Sequence, residues 1–150
     1  MKRVILLLAF CCLVVLPLTA CGDQKQDTTA AAVVAQKDLI NNNFVLSAID
    51  GKPYSSSAGE IPYLAFGADM QISGAVCNQF TGKGELTGAT LMVKDMVSTE
   101  KPCEDQALNA LDTTLSTMLT QGASTTFKDN KLTLSRDNRS LEFTLKSKTQ

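Results

Sequence analysis

The 150-residue chain has no histidine and no tryptophan, and only 5% of its side chains are aromatic. The missing histidine excludes Ser-His-Asp and Cys-His catalysis and the usual zinc sites; with the carboxylate spacings weighed below, neither a catalytic residue nor a metal is expected. An excess of positive charge is also missing: 14 Lys and Arg stand against 15 Asp and Glu, a net charge of −1. Such a balance lacks the basic footprint of a nucleic-acid binder, so nucleic acid is not an expected partner. What remains is an ordinary globular composition, 44% hydrophobic and 19% charged, with room for one domain and hardly for two.

The cellular address is written at the amino end. Met1-Lys2-Arg3 is a short positive start, and Val4 to Leu16 is a run of thirteen residues without a charge, closed by Pro17. The run falls short of the ~20 apolar residues of a spanning helix and fits the centre of an export signal. Leu18-Thr19-Ala20-Cys21 follows, small residues before a thiol that can be alkylated. The stretch resembles a bacterial lipoprotein signal with its lipobox. That resemblance implies a signal peptide over 1–20, cleavage before Cys21, and lipid attachment at Cys21 through its sulfur and its new amine. The covalent lipid is then the one non-protein group, and no cofactor is expected. Each buried methylene contributes about 0.8 kcal/mol, so several chains on one residue make a firm anchor. By the same resemblance Gly22, a non-Asp residue, directs the protein to the outer membrane, although Asp23 comes one place later. The expected location is the periplasmic face of that membrane, with the bilayer as a partner through the anchor. A secreted protein with a Cys at that place is the bland alternative. Loss of Lys2 and Arg3 with the leader makes the remainder more acidic, so lipid and not charge does the holding.

Residues 21–38 read as a tether: Gln, Asp, Thr and Ala without aromatics or apolar periodicity. Ala30 to Gln36 has the composition for a turn or two of helix. From Leu39 to residue 150 the texture is that of one β-rich domain. Phe44, Leu46 and Ala48 share a strand face before the turn pair Asp50-Gly51. Further strands are predicted at Tyr63 to Phe66, around Met70 and Ile72, and at Phe80 to Leu86, Thr90 to Val93 and Met96 to Thr99. Gly82, Gly84 and Gly88 mark bulges or tight bends. Leu108, Leu111, Leu115, Met118 and Leu119 stand at helical spacing, between Pro102 and Gly122, and predict a helix from about Glu104 to Gln121. Three strands follow, turning at Asp129-Asn130 and again at Asp137-Asn138. The fold class is α+β: a curved, mostly antiparallel sheet, bending toward a partly closed barrel, covered by one helix.

Cys11 and Cys12 leave with the leader and Cys21 takes the lipid, so Cys77 and Cys103 remain as a pair. In an oxidising envelope an even pair predicts a disulfide, closing a separation of 26 residues for roughly 3–4 kcal/mol. Two buried free thiols are the alternative. A redox enzyme calls for a close pair such as Cys-x-x-Cys at a helix start, which these two are not.

Gly74-Ala75-Val76-Cys77-Asn78-Gln79-Phe80-Thr81-Gly82 resembles the signature of the META-domain family. Its marks here are Gly74, Cys77, Asn78, Phe80 and Gly82. The likeness runs from Asn43-Phe44 through Met70 to Gly74, Thr99, Cys103, Leu108-Asn109, Leu111-Asp112 and Met118-Leu119 to Leu132-Thr133-Leu134, essentially residues 39 to 146. Two departures stand out: Phe44 where many members carry Trp, and Ala110 near where many carry Glu. The first is a core swap; the second removes a carboxylate from the helix. The resemblance implies a compact curved sheet with a helix, association with heat or envelope stress, and tolerance of novobiocin. It implies no known reaction.

Three functions compete. The favoured one is a non-catalytic envelope lipoprotein that meets an envelope protein partner. The second is a module binding an apolar small molecule or lipid in a cleft of the curved sheet, although Ala, Met and Phe fill cores more often than they line sites. The third is an enzyme. Glu104 and Asp105 are adjacent, however, and helix neighbours point about 100° apart, so capping explains them better. Asp95, Glu100 and Glu104 do not make a calcium loop.

Overall fold

The structure, a computed structural model, describes residues 34–56, 59 and 61–148. The leader over 1–20, Cys21 and the tether up to residue 33 lie outside the described residues. The elements in chain order are α1 (Gln36–Leu39), β1 (Asn42–Ile49), β2 (Lys52–Pro53), β3 (Tyr63–Phe66), β4 (Gln71–Ala75), β5 (Gln79–Thr87) and β6 (Thr90–Ser98). Then come α2 (Gln106–Gln121), β7 (Ala123–Lys128), β8 (Lys131–Arg136) and β9 (Arg139–Lys148).

Alternation of side chains decides which face of each strand turns inward. Phe44 and Leu46 of β1, Leu64 and Phe66 of β3, Leu132 and Leu134 of β8, and Leu141 and Phe143 of β9 are all buried. Neighbouring strands pair antiparallel in the order β1-β3-β4-β5-β6-β7-β8-β9, and β9 returns to pair with β1, Phe44 meeting Leu145 and Leu46 meeting Phe143. Eight strands thus close into an antiparallel barrel, more complete than the partial closure predicted. An even number of strands lets every neighbour run opposite, the closing pair included. β2 is a short flap on the same edge of β1 as β3, formed because Asp50 and Gly51 both adopt positive φ, 50° and 73°. The Asp129-Asn130 turn between β7 and β8 does the same with φ of 52° and 62°.

The predicted break between Thr90 to Val93 and Met96 to Thr99 is absent; both belong to β6. The ladder with β5 shifts register between Thr81 and Lys83, opposite Asp95, whose φ is 50°. The bulge kinks one strand and does not end it. The helix also starts later than predicted. Asp105 is its N-cap and accepts from Ala107 N at 2.7 Å, which leaves Glu104 outside. Gly122, at φ 90°, ends it, and Arg136 Nη1 donates to the carbonyls of Gln121 and Gly122 at 2.9 and 2.7 Å. Those two bonds satisfy acceptors that a helix end otherwise leaves to water.

β6 pairs with β7 only at Thr90 and Leu91. Beyond that point α2 runs back against β6, and its Leu111, Leu115, Met118 and Leu119 enter the barrel core. A helix thereby covers an edge that would otherwise be open to pairing. Phe44 packs edge-on against both Phe66 and Phe127, at 5.7 and 5.8 Å between ring centres. Val34 belongs to the same core, and Asn42 Nδ2 donates to Asp38 O at 2.8 Å, so packing begins ahead of Leu39.

Candidate functional site

The signature residues meet at one corner of the barrel. β4 and β5 pair to their ends, Ala75 opposite Gln79, and leave Val76, Cys77 and Asn78 as the connecting loop. Asn78 is buried, and a buried carboxamide must find partners for both its oxygen and its nitrogen. Its Oδ1 accepts from Lys101 N at 2.8 Å and from Thr99 Oγ1 at 3.0 Å. Its Nδ2 donates to Lys101 O at 3.3 Å and to Asp112 Oδ2 at 3.2 Å, while its backbone N–H donates to Asp112 Oδ1 at 3.2 Å. One side chain therefore fastens the β4–β5 loop to the segment leaving β6 and to the second turn of α2.

The cysteines close the same corner. Cys77 and Cys103 are joined by a disulfide, with Cα atoms 6.0 Å apart. Asn109 of α2 holds the far side: its Nδ2 donates to Cys103 O at 3.0 Å and its Oδ1 accepts from Cys103 N at 3.4 Å. The irregular stretch between β6 and α2 is thus pinned by neighbours in sequence, Cys77 covalently and Asn78 by hydrogen bonds.

The glycines answer a packing need inside the barrel. A Cβ on Gly74 would stand 2.5 Å from Phe80 Cζ and 2.5 Å from Tyr63 O; one on Gly82 would stand 2.5 Å from Val93 Cγ1. Gly84 has Ile72 Cδ1 at 2.6 Å. Sequence reasoning made Gly82 and Gly84 bulges or bends. Gly82 does sit at the bulge, but each of these glycines also yields its side-chain space to a large neighbour. Phe44 is fully buried, in keeping with a core role, and Ala110 is exposed on α2.

The carboxylates weighed for chemistry are dispersed. Asp105 caps α2, Glu104 and Glu100 are exposed, and Asp95 sits at the bulge. Partners of Asn78 that residue-by-residue reasoning gave no role are Thr99, Lys101 and Asp112. Asp112 lies 34 residues away in sequence, and although the resemblance includes Leu111-Asp112, no local pattern ties it to Asn78.

Several concavities among the described residues are open to solvent, one of them, of about 260 Å³, beside Val45, Tyr63 and Lys146. A groove of about 400 Å³ crosses β3 to β6 outside the barrel, between Tyr63 and Val97. A smaller cleft of about 200 Å³ lies between α2 and the β8–β9 turn. Its Arg136 is committed to the helix end, and its Arg139 Nε lies 3.2 Å from Asp50 Oδ2.

The META domain family matches residues 37–148. Heat shock protein HslJ of Escherichia coli (strain K12) is 38% identical over 112 residues, 75% of this chain and 79% of that protein. An NMR structure 38% identical to this chain superposes with a TM-score of 0.68, covering 75% of this chain and 95% of the other. A second, of a protein from Burkholderia xenovorans, shares the fold at 21% identity and a TM-score of 0.58, over 75% and 86% of the two chains. Matched over its whole barrel and carrying the signature loop at the pinned corner, the chain belongs to the META domain family.

Proposed function

We propose that this protein is a non-catalytic, lipid-anchored module of the bacterial envelope that serves heat or envelope stress and tolerance of novobiocin. The observation that carries the non-catalytic part is the fate of the signature's polar atoms. Asn78 spends its carboxamide and backbone N–H on Thr99, Lys101 and Asp112, so the most family-specific loop works as architecture. The anchor is supported by the positive start, the apolar run and the Leu18-Thr19-Ala20-Cys21 box. The stress role is supported by kinship with a heat shock protein. An apolar cleft within the curved sheet is the weaker reading, because Phe80, Val93 and Ile72 already occupy the space beside Gly74, Gly82 and Gly84.

Deletion followed by complementation tests this. Wild type is expected to restore growth after heat challenge and in novobiocin, and to fractionate with the outer membrane. Cys21→Ala is expected to leave the membrane fraction and restore neither. Membrane retention of a cleaved Cys21→Ala protein, no phenotype on deletion, or turnover of a substrate by the pure protein would overturn it.

A further inference from the structure

We infer that the outer groove across β3 to β6 is a binding site for a neutral, polyhydroxylated ligand, a short glycan. The inference stands on the folded barrel and is independent of the anchor. Strand register builds the groove. Tyr63 of β3 lies beside Ala75 of β4, which lies beside Gln79 of β5. One row along, Ser73 of β4 lies beside Thr81 of β5, which lies beside Val97 of β6. The β4 positions carry small side chains, so the floor is low there, between a half-buried Tyr63 on one side and Val97, 68% exposed, on the other. The groove is open to solvent, and its volume, about 400 Å³, falls in the range of small-ligand sites.

Chemistry narrows the occupant. No Asp, Glu, Lys or Arg lines the groove, so an ion entering it finds no opposite charge to replace its water. A wholly apolar occupant would desolvate polar groups without pairing them. Those groups are present: the Tyr63 hydroxyl, Ser73 Oγ and the Gln79 carboxamide make no hydrogen bond to another described residue and face water from exposed or half-buried positions. Nearby hydroxyls are already spent. Thr81 Oγ1 donates to Ile72 O and accepts from Gln71 Nε2, and Thr99 Oγ1 donates to Asn78 Oδ1. A sugar ring meets both demands. Its C–H face suits the Tyr63 ring and the Val97 methyls, and its hydroxyls, which donate and accept, suit a carboxamide and two side-chain hydroxyls.

The test is an NMR amide titration of the full chain with N-acetylglucosamine tetramer and with maltotetraose, against inorganic phosphate and decanol as contrasts. Saturable shifts centred on Tyr63, Ser73, Gln79 and Val97 are expected with at least one oligosaccharide, and neither contrast should produce them. Tyr63→Ala and Gln79→Ala should each weaken binding by about tenfold with unchanged melting temperature. Where Tyr63→Ala unfolds, Gln79→Ala, at an exposed position, decides. The inference is overturned if neither oligosaccharide saturates, if decanol alone occupies the groove, or if Gln79→Ala binds as wild type does. Failure here leaves the fractionation and stress results untouched, and failure there leaves these.

Discussion

Gly74 and Phe80 face one another across the β4–β5 ladder, so close that a Cβ on Gly74 would stand 2.5 Å from Phe80 Cζ. The two signature residues are complementary halves of one packing solution: the ring fills what the glycine vacates. Gly74→Ala is therefore expected to destabilise the domain by about 1–3 kcal/mol in urea unfolding. Adding Phe80→Leu should recover only part of the loss, because Tyr63 O also lies 2.5 Å from that Cβ and belongs to the backbone. A neutral Gly74→Ala would refute the packing account.

Asn78 should tolerate neither truncation nor charge. Asn78→Ala strands Lys101 N and the Asp112 carboxylate, at a cost of about 1–3 kcal/mol. Asn78→Asp puts a second carboxylate against Asp112 and raises the new group's pKa in the folded state. Its penalty is then greatest near neutral pH and shrinks as acid protonates the introduced carboxyl. Denaturant melts of both variants at pH 7 and pH 4.5 check the pattern; equal penalties for Asn78→Asp at the two pH values would contradict it.

The Cys77–Cys103 bond closes a separation of 26 residues. Its loss in the double Cys→Ser variant is expected to lower unfolding free energy by roughly 3–4 kcal/mol, through entropy returned to the unfolded chain. Dithiothreitol should bring wild type to the same level and leave the double variant unmoved. A wild-type curve indifferent to the reductant would show that the link contributes nothing.

Asp69 lies in the turn between β3 and β4, where its carboxylate is held below the ordinary range, first by the Gln71 N–H and then by Lys83. Those partners lie at 3.2 and 3.3 Å. A depressed pKa in the folded state means a contribution present above the unfolded pKa and lost as pH falls through the folded one. The group is exposed, so the energetic effect is small, but the midpoint is measurable by carboxyl NMR. It should lie below that of the urea-unfolded chain, and Lys83→Ala should raise it only in part because Gln71 still donates. A folded midpoint at or above the unfolded one would rule this out.

Local features were legible in the sequence. The alternation of Leu132 and Leu134 and of Leu141 and Phe143, the helical spacing of Leu111, Leu115, Met118 and Leu119, and the Asp50-Gly51 and Asp129-Asn130 turns act within a few residues, and each matches a burial pattern or turn in the fold. Less legible was whatever depends on distant partners. Lys94-Asp95 looks like a gap between strands because a bulge imitates a turn in polarity, and only the β5 ladder keeps the strand continuous. Full closure depends on β1 meeting β9, and no local pattern reveals that. Nor does the composition of the signature show that Asn78 reaches Asp112, since that contact exists only once α2 has folded back along β6. The groove was missed because Tyr63, Ser73, Gln79 and Val97 come from four strands and become neighbours through register alone.

The seam between β1 and β9, with Asn42 opposite Lys148, also sets the order of events in synthesis. A polypeptide delivered amino end first holds one rim of the cylinder from the outset and must wait for its final strand to supply the other. Until those ten residues emerge, no circle can be completed.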